Sequence, residues 1–319
     1  QLFATIASYL SSNGYKIMFL DSNGFMKNSY FTEDSSISFI DIEDICSLAP
    51  DRGPCEHESQ WFTISNASVL CPFTMSGEFV EKFGFDSSVQ YMFHVGHPKA
   101  YEFLDDRLRR FTEYSNTHGF ISDLLERSSN CLVSVDEICA YKLNSMFNIK
   151  MQLLPVFIEE REYTVKKHVL SRCISIGFLG RLDPDKIWGL INLIDCLQQH
   201  RSDLRKKIHI IGDGSAKDMI NVNFYRSENI DVVFTGTLVG KDKDMYIREN
   251  VDIMFTTGLA CLEQPFNGIP SVMIPHGGAK FYNEGLFTYA FNMNNFNCGY
   301  YVDDIRNMSE TNFSSFGDI

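Results

Sequence analysis

The clearest pattern in the chain lies at Cys173–Gly214, which reads CISIGFLGRLDPDKIWGLINLIDCLQQHRSDLRKKIHIIGDG. Two apolar runs in it, Cys173–Leu179 and Ile208–Ile211, each end at a glycine, and Ile187–Leu197 between them has apolar residues at helical spacing. Short apolar strands that alternate with helices are typical of a parallel sheet covered on both faces. This stretch therefore predicts an α/β unit in which polar loops follow the carboxyl ends of the strands.

The same alternation extends over the rest of the chain. In the second half the predicted elements are strands at Val232–Thr235, Val251–Phe255 and Ser271–Ile274, and helices at Lys241–Glu249 and Gly258–Asn267. In the first half they are a helix at Leu2–Leu10 and strands at Tyr15–Leu20, Val89–Phe93 and Cys131–Val135. We therefore predict an α/β protein throughout.

A charged stretch separates the two halves. Residues 159–168 read EEREYTVKKH, a composition typical of a linker. We predict a first domain at 1–158, a linker at 159–171 and a second domain at 172–319. The chain starts inside a predicted helix, without an initiator Met, and ends in a polar tail, so we expect both domains to be truncated.

The charge distribution restricts the class of ligand. The net charge is −13, and residues 1–160 hold 22 acidic against 11 basic side chains, whereas residues 161–319 hold 19 against 17. An acidic surface repels phosphate backbones, so we expect no nucleic-acid partner. Any site for a small phosphate ligand should lie after residue 160.

The cysteines and the hydropathy pattern indicate the compartment. Nine scattered cysteines, an odd number without a Cys-x-x-Cys pair, indicate reduced thiols and a cytoplasmic protein. No apolar run approaches the ~18 residues of a membrane span, so we expect at most peripheral membrane contact. The basic cluster Arg107, Arg109 and Arg110 could touch lipid head groups, or form helix ion pairs with Asp105 and Asp106.

Two loops that follow predicted strands carry candidate binding residues. Arg181 and Lys186 lie five residues apart after Cys173–Leu179 and could both reach one diphosphate, although two solvated surface cations fit the same spacing. Gly212 follows Ile208–Ile211, where a missing side chain would let a ligand approach the backbone; a plain turn is the alternative.

A third loop, at residues 256–270, is the most informative. Thr256 and Thr257 precede Gly258, and Gly258 and Leu259 open a predicted helix whose free N–H groups can hold a phosphate. Glu263 lies one turn further, where its carboxylate could accept two hydrogen bonds from a vicinal diol such as a ribose. Stabilisation of the helix N-terminus by the acidic side chain is the alternative.

These motifs together resemble a known family. They are Gly180-Arg181-Leu182-x-x-x-Lys186, Ile-Ile-Gly212-Asp-Gly214, Val-Phe-Thr-Gly236 and Gly258-Leu-x-x-Leu-Glu263-x-x-x-x-Gly268-x-Pro270. In this order and spacing they look like the donor-binding half of GT-B glycosyltransferases of the family-4 type. The resemblance implies two Rossmann-like domains with parallel sheets facing a cleft, of which residues 1–158 would be the acceptor side.

The resemblance also implies an activity. A hexosyltransferase would move a sugar from a nucleoside diphosphate such as UDP to a glycan or glycolipid acceptor, as in polysaccharide biosynthesis. In the family, the residues matching Arg181 and Lys186 neutralise the donor diphosphate, and the residue matching Glu263 binds the ribose. The family implies a retained configuration, and we expect neither a metal nor another cofactor, because fixed cations can stabilise the leaving diphosphate.

One position departs from the family pattern. A second glutamate usually lies eight residues before the one at Glu263, and here that position is Phe255. The Thr256 and Thr257 hydroxyls would then contact a different donor sugar, or the chain would be a non-catalytic nucleotide-binding partner subunit. A nucleotide-sugar epimerase of the same fold is a further alternative.

Histidines near predicted strand ends complete the candidates. The family often places a histidine near the donor, and we select His94 over His97, with a structural histidine as the alternative. His276 could border the cleft or lie in a plain turn after Pro275. Neither the His94–His97 pair nor Cys55-Glu-His57-Glu58 has convincing metal-ligand spacing, so we predict no metal site.

Overall fold

The computed structural model describes residues 2–21, 37–41, 68–83, 90–112, 114–127, 131–156, 158, 172–184, 186–200, 203–220, 229–277, 287–293, 299–300 and 314. The helices are α1 (Leu2–Ser12), α2 (Ser76–Phe83), α3 (Ala100–Phe111), α4 (Thr117–Arg127), α5 (Glu137–Phe147), α6 (Ile187–Gln199), α7 (Gly240–Asn250) and α8 (Leu259–Glu263). The strands are β1 (Ile17–Asp21), β2 (Ile37–Asp41), β3 (Ser68–Pro72), β4 (Gln90–Val95), β5 (Leu132–Ser134), β6 (Gln152–Leu153), β7 (Cys173–Leu179), β8 (Arg205–Ile211), β9 (Ile230–Gly236), β10 (Ile253–Thr256), β11 (Ser271–Met273) and β12 (Thr288–Tyr289).

The chain divides into two compact units. One comprises Gln1–Val69 and Glu78–Gln90, and the other comprises Leu70–Gly77 and Tyr91–Ile319. In the first unit β1 and β2 pair in parallel, with Ile17 opposite Ile37. The linker predicted at 159–171 lies outside the described residues, so the domain boundary stays a prediction.

The second unit contains a six-stranded sheet that includes the strands predicted at Cys173–Leu179 and Ile208–Ile211. Its strand order is β12-β11-β10-β7-β8-β9, and neighbouring strands are parallel except β11 and β12, which are antiparallel. A four-stranded sheet of order β3-β4-β5-β6 precedes it in sequence, with β4, β5 and β6 in parallel register. The predicted α/β class with parallel sheets is confirmed.

Helix α6 forms the centre of the largest hydrophobic cluster. Ile187, Leu190, Leu193 and Ile194 have no exposed surface, and they pack with apolar side chains of β7 and β8. Burial of side chains of this size stabilises a fold by roughly 1.5–3 kcal/mol each. The loops at the carboxyl ends of these strands are therefore supported by a rigid sheet and helix.

The helix predicted at Gly258–Asn267 is divided into two pieces. Helix α8 ends at Glu263, and a 3₁₀ turn, Gln264–Asn267, continues the chain. The physical reason is Pro265, which has no N–H to donate to the carbonyl of Cys261 four residues earlier. The Ser271 hydroxyl donates to that carbonyl instead, at 2.8 Å.

Candidate active site at the carboxyl edge of the six-stranded sheet

The loops after β7 and β8 are packed backbone to backbone. The Gly180 N–H donates to the Ile211 carbonyl at 3.1 Å, and the Leu182 N–H donates to the Asp213 carbonyl at 3.0 Å. Gly212 has φ +144°, and a Cβ there would collide with the Gly180 carbonyl oxygen. Gly212 is therefore required by the contact between the two loops, whether or not a ligand also lies against it.

Arg181 extends from the first of these loops. Its side chain is 70% exposed, and its Nη1 lies 2.6 Å from the Asp183 carboxylate. Lys186 is the residue immediately before α6 and is partly buried. The two cations predicted from the sequence thus flank one short loop, of which one end is open to solvent and the other is anchored to a buried helix.

The loop after β10 is held to the end of β7. Thr256 has no exposed surface, and its hydroxyl donates to the Leu179 carbonyl. Thr257 is buried, Gly258 has φ +63°, and Leu259 is partly buried at the first position of α8. The Thr256 hydroxyl is therefore already used within the protein, in a bond that joins two neighbouring strands at the carboxyl edge.

Glu263 forms an ion pair that the sequence analysis did not predict. Its carboxylate lies 3.3 Å from the Lys243 ammonium of α7, and only 9% of the Glu263 side chain and 17% of the Lys243 side chain are exposed. Lys243 also lies 3.6 Å from the Asp244 carboxylate. No sequence signal could have selected Lys243, because α7 is charged along its whole length and the two partners lie on different helices.

His276 follows β11 at the same edge of the sheet. Its backbone N–H donates to the Tyr300 carbonyl at 2.8 Å, and its side-chain Nδ1 is buried, although the residue as a whole is partly exposed. Burial of the imidazole, followed by the charges of Lys186 and His97, lowers the pKa of His276 to about 3. His276 is therefore neutral at pH 7 and lies near two basic groups.

The two histidines of the four-stranded sheet have different surroundings. His94 lies inside β4 and not after it, is 7% exposed, and places Nε2 3.4 Å from the Leu154 carbonyl oxygen. Burial lowers the pKa of His94. His97 lies in the following loop, where its Nδ1 accepts the Lys99 N–H at 3.0 Å. His97 is the one whose charge acts on His276.

Phe255 occupies a core position. It lies inside β10, is 2% exposed, and packs edge-on against the Phe287 ring at a centroid separation of 6.1 Å. A carboxylate at this position would be buried among apolar side chains. This environment suits a phenylalanine better than the glutamate that the family pattern places at this position.

Contacts join the loops after β7, β8 and β10 along one edge of the sheet. Gly180, next to Arg181, meets Gly212, and Thr256 meets the last residue of β7. A Cβ on Gly299 would lie 3.0 Å from His276 Nε2 and 3.7 Å from the Gly258 backbone nitrogen, which places His276 near the start of α8. His94 is placed by β4 in the other sheet.

Two further expectations concern metals and membranes. Within the described segments, no group of three or more His, Cys, Asp or Glu side chains could hold a metal ion, and Cys55 and His57 lie outside those segments. None of the helices in the described part of the chain is long and apolar enough to cross a membrane. Arg109 and Arg110 form ion pairs with Asp105 and Asp106 on α3, at 3.0 and 2.8 Å.

Comparison with known proteins gives only distant likenesses. No family model and no curated protein sequence matches the chain. A structure of a TarM mutant from S. aureus with fondaparinux, alpha-GlcNAc-glycerol and UDP has a TM-score of 0.39 and 16% identity, over 63% of this chain and 40% of that chain. A second TarM structure is covered over 50% of its length. The chain thus spans half or less of these two proteins.

Two transferases are among the similar structures. The lipopolysaccharide outer core galactosyltransferase WaaB in its apo form has a TM-score of 0.42 and 14% identity, over 80% of this chain and 78% of that chain. The pneumococcal O-GlcNAc transferase GtfA, in complex with UDP and GlcNAc, has a TM-score of 0.30 and 15% identity, over 62% of this chain and 33% of that chain.

Proposed function

We propose that the chain contains the nucleotide-binding part of a glycosyltransferase that moves a sugar from a nucleoside diphosphate to a carbohydrate or lipid-linked acceptor. The observation that carries the proposal is the set of charged groups at the carboxyl edge of the six-stranded sheet. Arg181 and Lys186 flank one loop, and the buried carboxylate of Glu263 ends the helix that follows β10. Cations suit a diphosphate, and a carboxylate suits a ribose diol.

In this proposal Arg181 and Lys186 act on the leaving group. Departure of a nucleoside diphosphate builds negative charge on the terminal phosphate, and cations held in position stabilise that charge without reorganisation. The Arg181 guanidinium would exchange its partner Asp183 for the diphosphate, which offers more charge in the same planar geometry. Lys186, anchored at the start of α6, would act as a fixed point charge.

Glu263 provides the second part of the recognition. Its ion pair with Lys243 holds the carboxylate at one end of α8, where the two hydroxyls of a ribose could donate to it. A buried acceptor of this kind rejects analogues that lack the hydroxyls, because the carboxylate would lose its hydrogen bonds to them. We therefore expect a ribonucleotide to bind more tightly than its 2′,3′-dideoxy analogue.

We further propose hexosyl transfer with retained configuration and without a metal, in the assembly of a polysaccharide or glycolipid. UDP is the first donor nucleotide to test. If transfer is metal-independent, the rate measured with EDTA will equal the rate with Mg²⁺, and NMR of the product will show the anomeric configuration of the donor.

The test of nucleotide binding is calorimetry with UDP, GDP and ADP. We expect one of them to bind, and Arg181→Ala to weaken its affinity by about tenfold, the usual effect of a charged hydrogen bond. Arg205→Ala is a matched control, because Arg205 is similarly exposed and paired with Asp231 at 3.1 Å but lies at the amino end of β8. If no nucleotide binds, or both variants have the same effect, the proposal is wrong.

Product analysis tests transfer itself. Incubation of the donor with a panel of glycan and glycolipid acceptors should release the nucleoside diphosphate only when an acceptor is present. Conversion of the donor to its epimer without an acceptor would instead identify an epimerase. Tight nucleotide binding without turnover over the whole panel would identify a non-catalytic subunit.

A further inference from the structure

The start of α6 and the segment after β11 are in direct contact. Gly189, in the first turn of α6, lies so close to Pro275 that a Cβ on it would be 2.6 Å from the Pro275 carbonyl oxygen. The Gly189 N–H donates to the Lys186 carbonyl at 3.2 Å. Lys186 lies three residues before Gly189, and His276 directly follows Pro275. This backbone packing therefore brings Lys186 and His276 close together.

The groups around His276 come from four places in the chain. Lys186 comes from the start of α6, His97 from the loop between β4 and α3, and Gly258 from the start of α8. The fourth is the segment Gly299–Tyr300, which passes beside the imidazole, with the Tyr300 carbonyl accepting the backbone N–H of His276. The two side chains whose charges act on His276 are both basic, so the surroundings favour an anion.

We infer that His276 is a phosphate-binding residue, which holds the terminal phosphate of the nucleoside diphosphate together with Lys186. The inference rests on the proposed function, and it adds His276 to the proposed binding residues Arg181, Lys186 and Glu263. The terminal phosphate is the one released with the new negative charge. A donor at this place stabilises the product side of the transfer.

The chemistry of the imidazole supports this role. A neutral histidine carries one ring N–H donor, and the acceptor nitrogen can also take a proton when an anion lies beside it. His276 is kept neutral by burial and by Lys186 and His97, so it adds no positive charge of its own beside these basic groups when no anion is bound. A bound phosphate would offset the repulsion between a protonated His276 and its basic neighbours, which makes the site more favourable for an anion than for a neutral ligand.

The experiment compares a nucleoside diphosphate with its monophosphate. Calorimetry on the wild-type chain first identifies which of UDP, GDP and ADP binds, and the matching UMP, GMP or AMP is then measured. We expect His276→Ala to lower the affinity for the diphosphate by about tenfold and to leave the affinity for the monophosphate almost unchanged. His276→Gln, which retains an N–H donor at a similar reach, should recover most of the diphosphate affinity.

Controls separate this role from a structural one. His118→Ala removes an exposed histidine on α4, stacked on Phe147 at 4.5 Å, and should leave the affinity ratio unchanged. Glu263→Gln should weaken both nucleotides equally, because its proposed partner is the ribose. If His276→Ala does not fold, as measured by its melting temperature, His276→Leu fills the same space and provides the same test.

Each outcome has a distinct meaning. A wild-type chain that binds none of the three diphosphates would overturn both the proposed function and the role of His276. Binding in which His276→Ala or His276→Leu leaves the ratio of diphosphate to monophosphate affinity unchanged would overturn only the role of His276. A fall of that ratio by about tenfold, with recovery in His276→Gln, supports it.

Discussion

The ends of the parallel strands are used differently in the two sheets of the second unit. After β5, the Ser134 hydroxyl donates to the Asp136 carbonyl at 2.8 Å, and the Asp136 carboxylate accepts the Cys139 N–H at 2.7 Å as the N-cap of α5. After β7, by contrast, the loop carries the exposed cation Arg181, and α6 begins after Lys186 without a side-chain cap.

This difference shows how polar residues at strand ends divide into two classes. An N-cap such as Asp136 satisfies a backbone donor of its own helix and contributes about 0.5–2 kcal/mol to stability. Arg181 contributes little to stability, because exposed ion pairs are worth at most about 1 kcal/mol. A charged side chain in such a loop that does little for the fold is the better candidate for binding a ligand.

The largest expected effect comes from the backbone contact that shapes the loops of the six-stranded sheet. Gly212→Ala should lower the free energy of unfolding by more than about 4 kcal/mol, because a Cβ collides with the Gly180 carbonyl and φ +144° is strained. Gly236→Ala, with φ +72° but open space around its Cβ, should lose only about 1 kcal/mol. Urea unfolding measures both; equal losses would show that the loop contact is unimportant.

The next effect contrasts the two histidines by the pH dependence of stability. Unfolded histidine has a pKa of 6.5, and the folded pKa of His276 is about 3, so the unfolded state binds the extra proton between these values. The free energy of unfolding should therefore fall as the pH is lowered from about 6.5 towards 3. His276→Gln should flatten this dependence, and His94→Gln should flatten it less.

Only one of the two histidine variants should affect ligand binding. His94 is buried within β4 near the Leu154 carbonyl, so His94→Gln should leave the diphosphate affinity unchanged at pH 7. A large loss of affinity in His94→Gln would show that His94 takes part in ligand binding, as the sequence analysis predicted. Such a loss would also contradict the proposed difference between the strand ends of the two sheets.

A smaller effect compares the two carboxylates. Asp136→Ala should cost about 1 kcal/mol of stability, the usual value for a lost N-cap, with nucleotide affinity unchanged. Glu263→Gln should weaken nucleotide binding about tenfold. Chemical unfolding and calorimetry on both variants measure these two quantities. If each variant lost both stability and affinity, the division into stabilising and ligand-binding residues would be wrong.

The smallest change in nucleotide affinity is expected for the ion pair of Glu263. Lys243→Met removes the ammonium from a nearly buried carboxylate, and we expect a severalfold loss in nucleotide affinity with a loss of about 1–3 kcal/mol in stability. Lys243→Arg should retain most of both. In the Glu263→Gln background the same change should have little effect, because the pair is already broken; additive losses would show that the two residues are not coupled.

The sequence predicted the central part of the fold because apolar periodicity reports it directly. The run Cys173–Leu179 and the helix beginning at Ile187 were predicted at their observed positions, because both bury nearly continuous apolar surface. The split after Glu263 was missed, although Pro265 gave the signal. The Cys261 carbonyl, to which Pro265 has no N–H to donate, accepts a hydrogen bond from the Ser271 hydroxyl, and Ser271 lies in another element.

The candidate site was predictable only where its residues follow strands. Arg181, Lys186 and Glu263 were selected by their place after apolar runs, whereas Lys243 lies within a helix where charge is ordinary. His94 was preferred over His97 because the strand was predicted to end at Phe93, directly before His94, whereas β4 continues to Val95. Such small errors in strand limits decide which of two nearby histidines lies inside the sheet.

The contact between Gly189 and Pro275 has a mechanical consequence. With no side chain between them, the gap between α6 and the segment after β11 is set by backbone atoms, which cannot change rotamer. Any tilt of α6 must therefore carry the backbone of Lys186, which directly precedes the helix, and the backbone of His276 in the same direction. The spacing of these two groups would survive thermal motion better than if a flexible side chain separated them.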